Sequence, residues 1–121
     1  QWQDLLTSQF QTGRSGNEIL AAAQELLHDR NIDHAIYTHP LGVFGHGPGP
    51  TIGMWDNQGP TPGRGDWLLF PMTGYAIEGR VTVAIPEWNN EPVQMKLEQS
   101  AIYDGEVRYL SGRQTHLHVV R

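Results

Sequence analysis

The sequence predicts an α+β fold, a curved antiparallel sheet with helices packed on one face. Three observations predict it. Apolar residues recur at helical spacing within residues 1–31, alternate with polar ones at period two within residues 66–121, and are interrupted between these segments by a stretch rich in glycine and proline. Helices and strands are thus segregated along the chain, unlike the alternating order that builds a parallel sheet with crossover helices. Residues 1–121 read as a single domain, within the usual range of roughly 100–200 residues. No internal repeat is present.

Trp2, Leu5, Leu6 and Phe10 suggest a short first helix, broken at Gly13. Ser15-Gly-Asn-Glu18 then forms a capping box, with serine at the N-cap and glutamate three residues on. Ile19, Leu20, Ala23, Leu26 and Leu27 follow at helical spacing, a pattern that marks a face packed on a core. Asn31 is placed to end this helix in a left-handed conformation.

Residues 39–65 contain Pro40, Pro48, Pro50, Pro60 and Pro62 among many glycines, yet also Phe44, Ile52, Met54 and Trp55. A flexible linker would be polar and Gly/Ser-rich. Large apolar groups in a long irregular stretch predict a loop that packs and takes part in function, here at the mouth of the site.

Trp67 to Phe70 reads as a strand. From Tyr75 to Ile85 one face is Tyr75, Ile77, Gly79, Val81, Val83 and Ile85, and the other is Ala76, Glu78, Arg80, Thr82 and Ala84. Period two means a strand, with Glu78 on its polar face. Val93 to Tyr103 alternates likewise, with Lys96, Glu98 and Ser100 on one face. Asp104-Gly105 is a tight-turn signal, Val107 to Leu110 the returning strand, and Thr115 to Val120 a last strand.

Composition sets limits on function. The formal net charge is −5 and the pI near 5.6, with a single lysine, so no basic face is available to nucleic acid. There are no cysteines, which excludes disulfides, thiolate zinc sites and thiol nucleophiles. No Gly-x-Ser-x-Gly elbow and no phosphate loop occur. No apolar run approaches the roughly 18 residues of a membrane span, and no signal-peptide pattern opens the chain. The expectation is a soluble chain with no nucleic-acid or membrane partner, in the cytoplasm or periplasm. Because it begins at Gln1, processing or truncation is expected.

One constellation carries chemistry. His39 and His46 lie seven apart across a glycine-rich segment, and Glu78 and Glu98 each sit in a strand. One imidazole with carboxylates suits a hard or borderline divalent ion such as Mn, Co, Fe or Zn, which can activate water for hydrolysis. Strand glutamates are also ordinary solvent-facing residues, so spacing alone leaves both readings open. His116 and His118 share a strand face at a spacing that can bind zinc, but such a pair more commonly forms the polar face of an edge strand. Glu87 ends a strand, and His28 and His34 belong to a helix face and a turn.

The stretch from His39 to Glu98 resembles the C-terminal half of the pita-bread metallopeptidases, the family of methionine aminopeptidase, Xaa-Pro aminopeptidase and prolidase. His39, Gly42 and His46 fit the form His-x-x-Gly-x-x-x-His, Ala76-Ile77-Glu78 fits a strand bearing "Ile-Glu", and Lys96-Leu97-Glu98 fits a later strand bearing a second glutamate. Asp104-Gly105 through Leu110-Ser111 and the upstream "TGRSGNEI" extend the likeness along nearly the whole chain. The resemblance implies metal ligands at His39, Glu78 and Glu98, and catalytic roles for Glu78 as proton carrier and His46 as stabiliser of developing charge. It implies exopeptidase activity through a metal-bound hydroxide, with two metal ions in the complete protein and a peptide substrate.

Gly45-His46-Gly47 would offer His46 as the ligand instead, but position 53 is glycine, so no second histidine follows at the required spacing. Pro40, Gly47 and Gly79 depart from the residues usual after the two histidines and the first glutamate. The family's two aspartate ligands come from a strand hairpin in its N-terminal half. The acids before His39 are Asp4, Glu18, Glu25, Asp29 and Asp33, on or beside predicted helices. The expectation is therefore a fragment whose partner is the missing N-terminal half of the catalytic domain, inactive alone, with a homodimer left open. The alternative is a non-catalytic pita-bread module that binds peptide or protein.

Overall fold

A computed structural model describes residues 1–120. It contains helix α1 (Trp2–Thr7), helix α2 (Gly16–Asp29), strand β1 (Asp33–Ile36), strand β2 (His39–Pro40), strand β3 (Thr73–Ile85), a 3-10 turn (Pro86–Trp88), strand β4 (Glu91–Tyr103) and strand β5 (Val107–Tyr109). The strands form one antiparallel sheet in the order β1-β3-β4-β5, with β2 also pairing β3. The fold is α+β, as the segregation of periodicities predicts.

Local chemistry explains the elements. Ser15 accepts the Glu18 amide while the Glu18 carboxylate accepts the Ser15 amide, so the capping box starts α2. Asn31, at φ 53°, turns the chain out of the helix. The β3–β4 hairpin closes through Asn89 and Asn90, both at positive φ, and the β4–β5 turn through Gly105 at φ 83°.

The helices pack on the face of β3 that carries Tyr75, Ile77 and Val81. Trp2, Leu6, Phe10, Ile19, Leu20, Ala23 and Leu27 form one buried cluster with those residues and with Ala101 and Tyr103. Gly79 lies on this face beneath the Trp2 indole. A Cβ there would sit 2.6 Å from the Ala35 carbonyl oxygen and 2.7 Å from Trp2 Cη2. Glycine after Glu78 is thus a packing requirement. Gly79→Ala is expected to cost about 2 kcal/mol through overpacking, read as a shifted urea midpoint at unchanged slope.

Two expected strands are absent. Residues 67–69 pair with residues 13–16 instead of the sheet: Gly16 N–H bonds the Trp67 carbonyl, Leu69 N–H the Arg14 carbonyl and Gly13 N–H the Leu69 carbonyl. Of Trp67 to Phe70, only Leu69 is buried. Thr115 to Val120 forms no strand and is exposed, because among the described residues no strand pairs with it. The short β1 and β2 were not anticipated.

The connection between β2 and β3 is pinned along its length. Tyr75 OH donates to the Pro50 carbonyl at 3.0 Å. The Gln58 side chain bonds both the N–H and the C=O of Ile36, taking the place of a neighbouring strand beside β1. Asn17 receives the Thr61 amide and donates to the Thr61 carbonyl and the Asp66 carboxylate. A long loop held this way acts as part of the scaffold.

Candidate metal centre

β2, β3 and β4 bring His39, Glu78 and Glu98 together on the sheet face away from the helices. His39 pairs with Ala76, and Glu78 stands directly opposite Glu98 in the β3–β4 ladder. One ligand atom from each of the three lies within 4.8 Å of the others. His39 Nε2 is 3.5 Å from Glu78 Oε2. Two ligand atoms of one tetrahedral ion, each about 2.0–2.2 Å from it, stand roughly 3.4 Å apart.

The donor set fits a divalent cation on its own chemistry. His39 Nδ1 lies 3.1 Å from the Pro40 carbonyl oxygen. A carbonyl only accepts, so Nδ1 donates to it and Nε2 is the ring nitrogen left facing the Glu78 carboxylate. Two acceptors at that separation need a proton or a cation between them. Glu98 adds a second negative charge. Burial first, and the facing Glu98 second, push the Glu78 carboxyl above the ordinary carboxylate range, while His39 and His46 pull the other way.

This raised pKa has a defined sign. Its stabilising effect is present below the ordinary carboxylate pKa and is lost as pH rises through the raised value of the folded state. Like charges directly opposite across two strands also destabilise. Glu98→Gln is therefore expected to stabilise the metal-free chain near pH 7 by about 0.5 kcal/mol, with the gain fading in acid. Urea unfolding in chelator at both pH values checks it.

His46 stacks on His39, with ring centroids 3.9 Å apart and planes inclined by 17°. The loop between them makes this possible. Gly47 N–H bonds the Pro40 carbonyl, and Gly45 N–H bonds the Gly42 carbonyl. A Cβ on Gly42 would stand 2.5 Å from the His46 carbonyl oxygen, and one on Gly47 would meet the Leu41 carbonyl. Both glycines are needed where backbone crosses backbone, so an acid cannot follow His46 in this loop conformation.

Beyond the four residues lies a cavity of about 650 Å³, lined by His39, His46 and Glu78 and also by Tyr37, Met54, Trp55, Pro62, Arg64 and Lys96. Sequence reasoning did not single out Tyr37, Arg64 or Lys96. Only the apolar content of the 39–65 loop hinted at this wall. The acids before His39 lie elsewhere. Asp4 pairs with Arg113 and the N-terminus, Glu18 serves the capping box, and Asp33 pairs with Arg80. His116 and His118 are exposed on the C-terminal segment, and among the described residues neither they nor any further acid joins a metal-ligand cluster. Among those residues, too, no helix is long and apolar enough to cross a membrane.

No protein-family model matches the chain, and no curated protein sequence matches it. Among solved structures it is similar to an X-Pro aminopeptidase from Thermotoga maritima MSB8, with a TM-score of 0.63 and 16% identity. The match covers 98% of this chain and 30% of that one. At that identity the likeness is one of fold: an α+β chain with a five-stranded antiparallel sheet, equivalent to half of a pita-bread fold.

Proposed function

We propose that the chain carries the His39, Glu78 and Glu98 portion of the metal centre of a metal-dependent exopeptidase, of aminopeptidase or Xaa-Pro peptidase type. The observation that carries this reading is the convergence of those three side chains, from three strands, beside a peptide-sized cavity. A divalent ion held there (Mn, Co, Fe or Zn) would supply Lewis acidity and make water nucleophilic near neutral pH. Glu78, half-buried and facing His39, is the group placed to carry a proton. His46, on the exposed side of the His39 ring, is the group placed to donate toward negative charge developing on a substrate carbonyl. Tyr37, Met54, Trp55 and Pro62 offer an apolar wall for a peptide side chain.

Three ligands hold an ion weakly. Calorimetric titration of this chain with Mn(II) or Co(II) is expected to show a single weak site, lost in Glu78→Gln. Tight binding of two ions would show that other groups complete the centre. The non-catalytic reading draws on the exposed Met54 and Trp55 at the cavity wall. It requires Xaa-Pro peptides to bind as well in chelator as in metal, whereas the exopeptidase reading requires metal to strengthen binding.

A further inference from the structure

Thr38 is fully buried and immediately precedes His39. The antiparallel register of Ile36 with Gly79 and of His39 with Ala76 stays in step across residues 37 and 38. Yet the Thr38 backbone does not bond β3. Its N–H donates to the Ile52 carbonyl at 3.1 Å, and its carbonyl accepts the Ile52 amide at 2.9 Å. Its hydroxyl replaces the backbone on the other side, accepting the Glu78 amide at 3.0 Å and donating to the Glu78 carbonyl at 2.9 Å.

One residue therefore fixes three things. It is bonded covalently to His39, it holds both backbone groups of Glu78, and it ties down Ile52, next to the cavity-lining Thr51 and Gly53. We infer that Thr38 is a positioning residue that sets the spacing of His39 and Glu78 through its hydroxyl. The inference rests on the metal reading of that pair.

Groups that orient metal ligands typically change metal affinity 10–100-fold when lost. Without the hydroxyl, the Glu78 carbonyl keeps the Tyr37 amide at 3.2 Å, but the Glu78 N–H loses its partner. A buried donor left unpaired shifts the backbone that carries the carboxylate.

The test compares Thr38→Val, which keeps the shape and removes the hydroxyl, with Thr38→Ser, which keeps the hydroxyl. Co(II) affinity is measured well below the unfolding temperature, with far-ultraviolet circular dichroism confirming the fold. Amide exchange at Glu78 is followed by NMR without metal. Thr38→Val is expected to weaken Co(II) binding about 10-fold or more and to deprotect the Glu78 amide, with Thr38→Ser restoring both. Parent-like affinity in a folded Thr38→Val chain overturns the inference. If the parent chain itself binds no Co(II), the metal reading fails. Glu78 amide exchange then decides alone: deprotection in Val with protection in Ser supports positioning, and equal rates overturn it. If Thr38→Val does not fold, the parent chain decides, because a Glu78 amide exchanging at the free rate excludes the bond on which the inference stands.

Discussion

In chains carrying His39→Ala, Co(II) binding is expected to disappear, while His46→Phe is expected to keep binding close to that of the parent chain. The two histidines are stacked face to face, so position alone does not say which is the ligand. Their ring nitrogens favour His39. His39 has Nδ1 committed to the Pro40 carbonyl and Nε2 facing Glu78 Oε2 at 3.5 Å. His46 presents the flat of its ring to His39 and belongs to no cluster with the two glutamates. Phenylalanine preserves the stacked face that buttresses His39 and removes only the nitrogens. Alanine at 46 removes the buttress too, so it is expected to weaken binding more than phenylalanine does. Calorimetry and the visible absorption of bound Co(II) follow all three variants. Loss of metal in His46→Phe with retention in His39→Ala would make His46 the ligand, the assignment that Gly45-His46-Gly47 suggests by its local sequence.

What could be read from the sequence followed how local its cause was. The capping box of Ser15 and Glu18 needs only four residues, and the alternation around Glu78 needs only its own strand. Both come through in the fold. β1 and β2 have four and two residues, too short to show a period, and exist because β3 offers them a ladder. Trp67 to Phe70 has a strand's composition, but its backbone found partners at residues 13–16. Thr115 to Val120 alternates, but among the described residues no strand pairs with it. Pattern reports what a strand would bury, whereas pairing depends on what lies alongside.

The candidate site divides in the same way. The family resemblance, not spacing, picks out His39, Glu78 and Glu98, and the β3–β4 register sets Glu78 opposite Glu98, a contact that no single strand reveals. Thr38 could not be found from sequence. A threonine before a histidine carries no signal until its hydroxyl is seen bonding both backbone groups of Glu78. Gly42 and Gly47 carried half a signal: a glycine-rich loop was evident, but not that it folds His46 back over His39.

Turnover gives the widest separation between readings. This chain alone is expected to cleave neither Xaa-Pro nor Met-Xaa peptides measurably, because among its described residues three candidate ligands converge, whereas the family resemblance implies two further aspartates in the complete centre. A polypeptide that joins this chain to a strand pair supplying two further carboxylates is expected to hydrolyse such peptides when loaded with Mn(II) or Co(II). In that polypeptide Glu98→Ala should abolish turnover together with metal content. His46→Phe should lower kcat by about 10²–10³ with metal retained, the usual effect of deleting one donor to a developing oxyanion. Phenylalanine serves better than alanine for this comparison, since it keeps the stacking on His39 and so isolates the lost N–H. Metal content and kcat measured on the same preparations decide between the roles. A His46→Phe enzyme with normal metal and normal kcat would leave His46 a purely structural support, and the transition-state donor would then have to come from elsewhere on the cavity wall, where Tyr37, Arg64 and Lys96, with Thr51, Trp55 and Thr61, carry hydrogens to give.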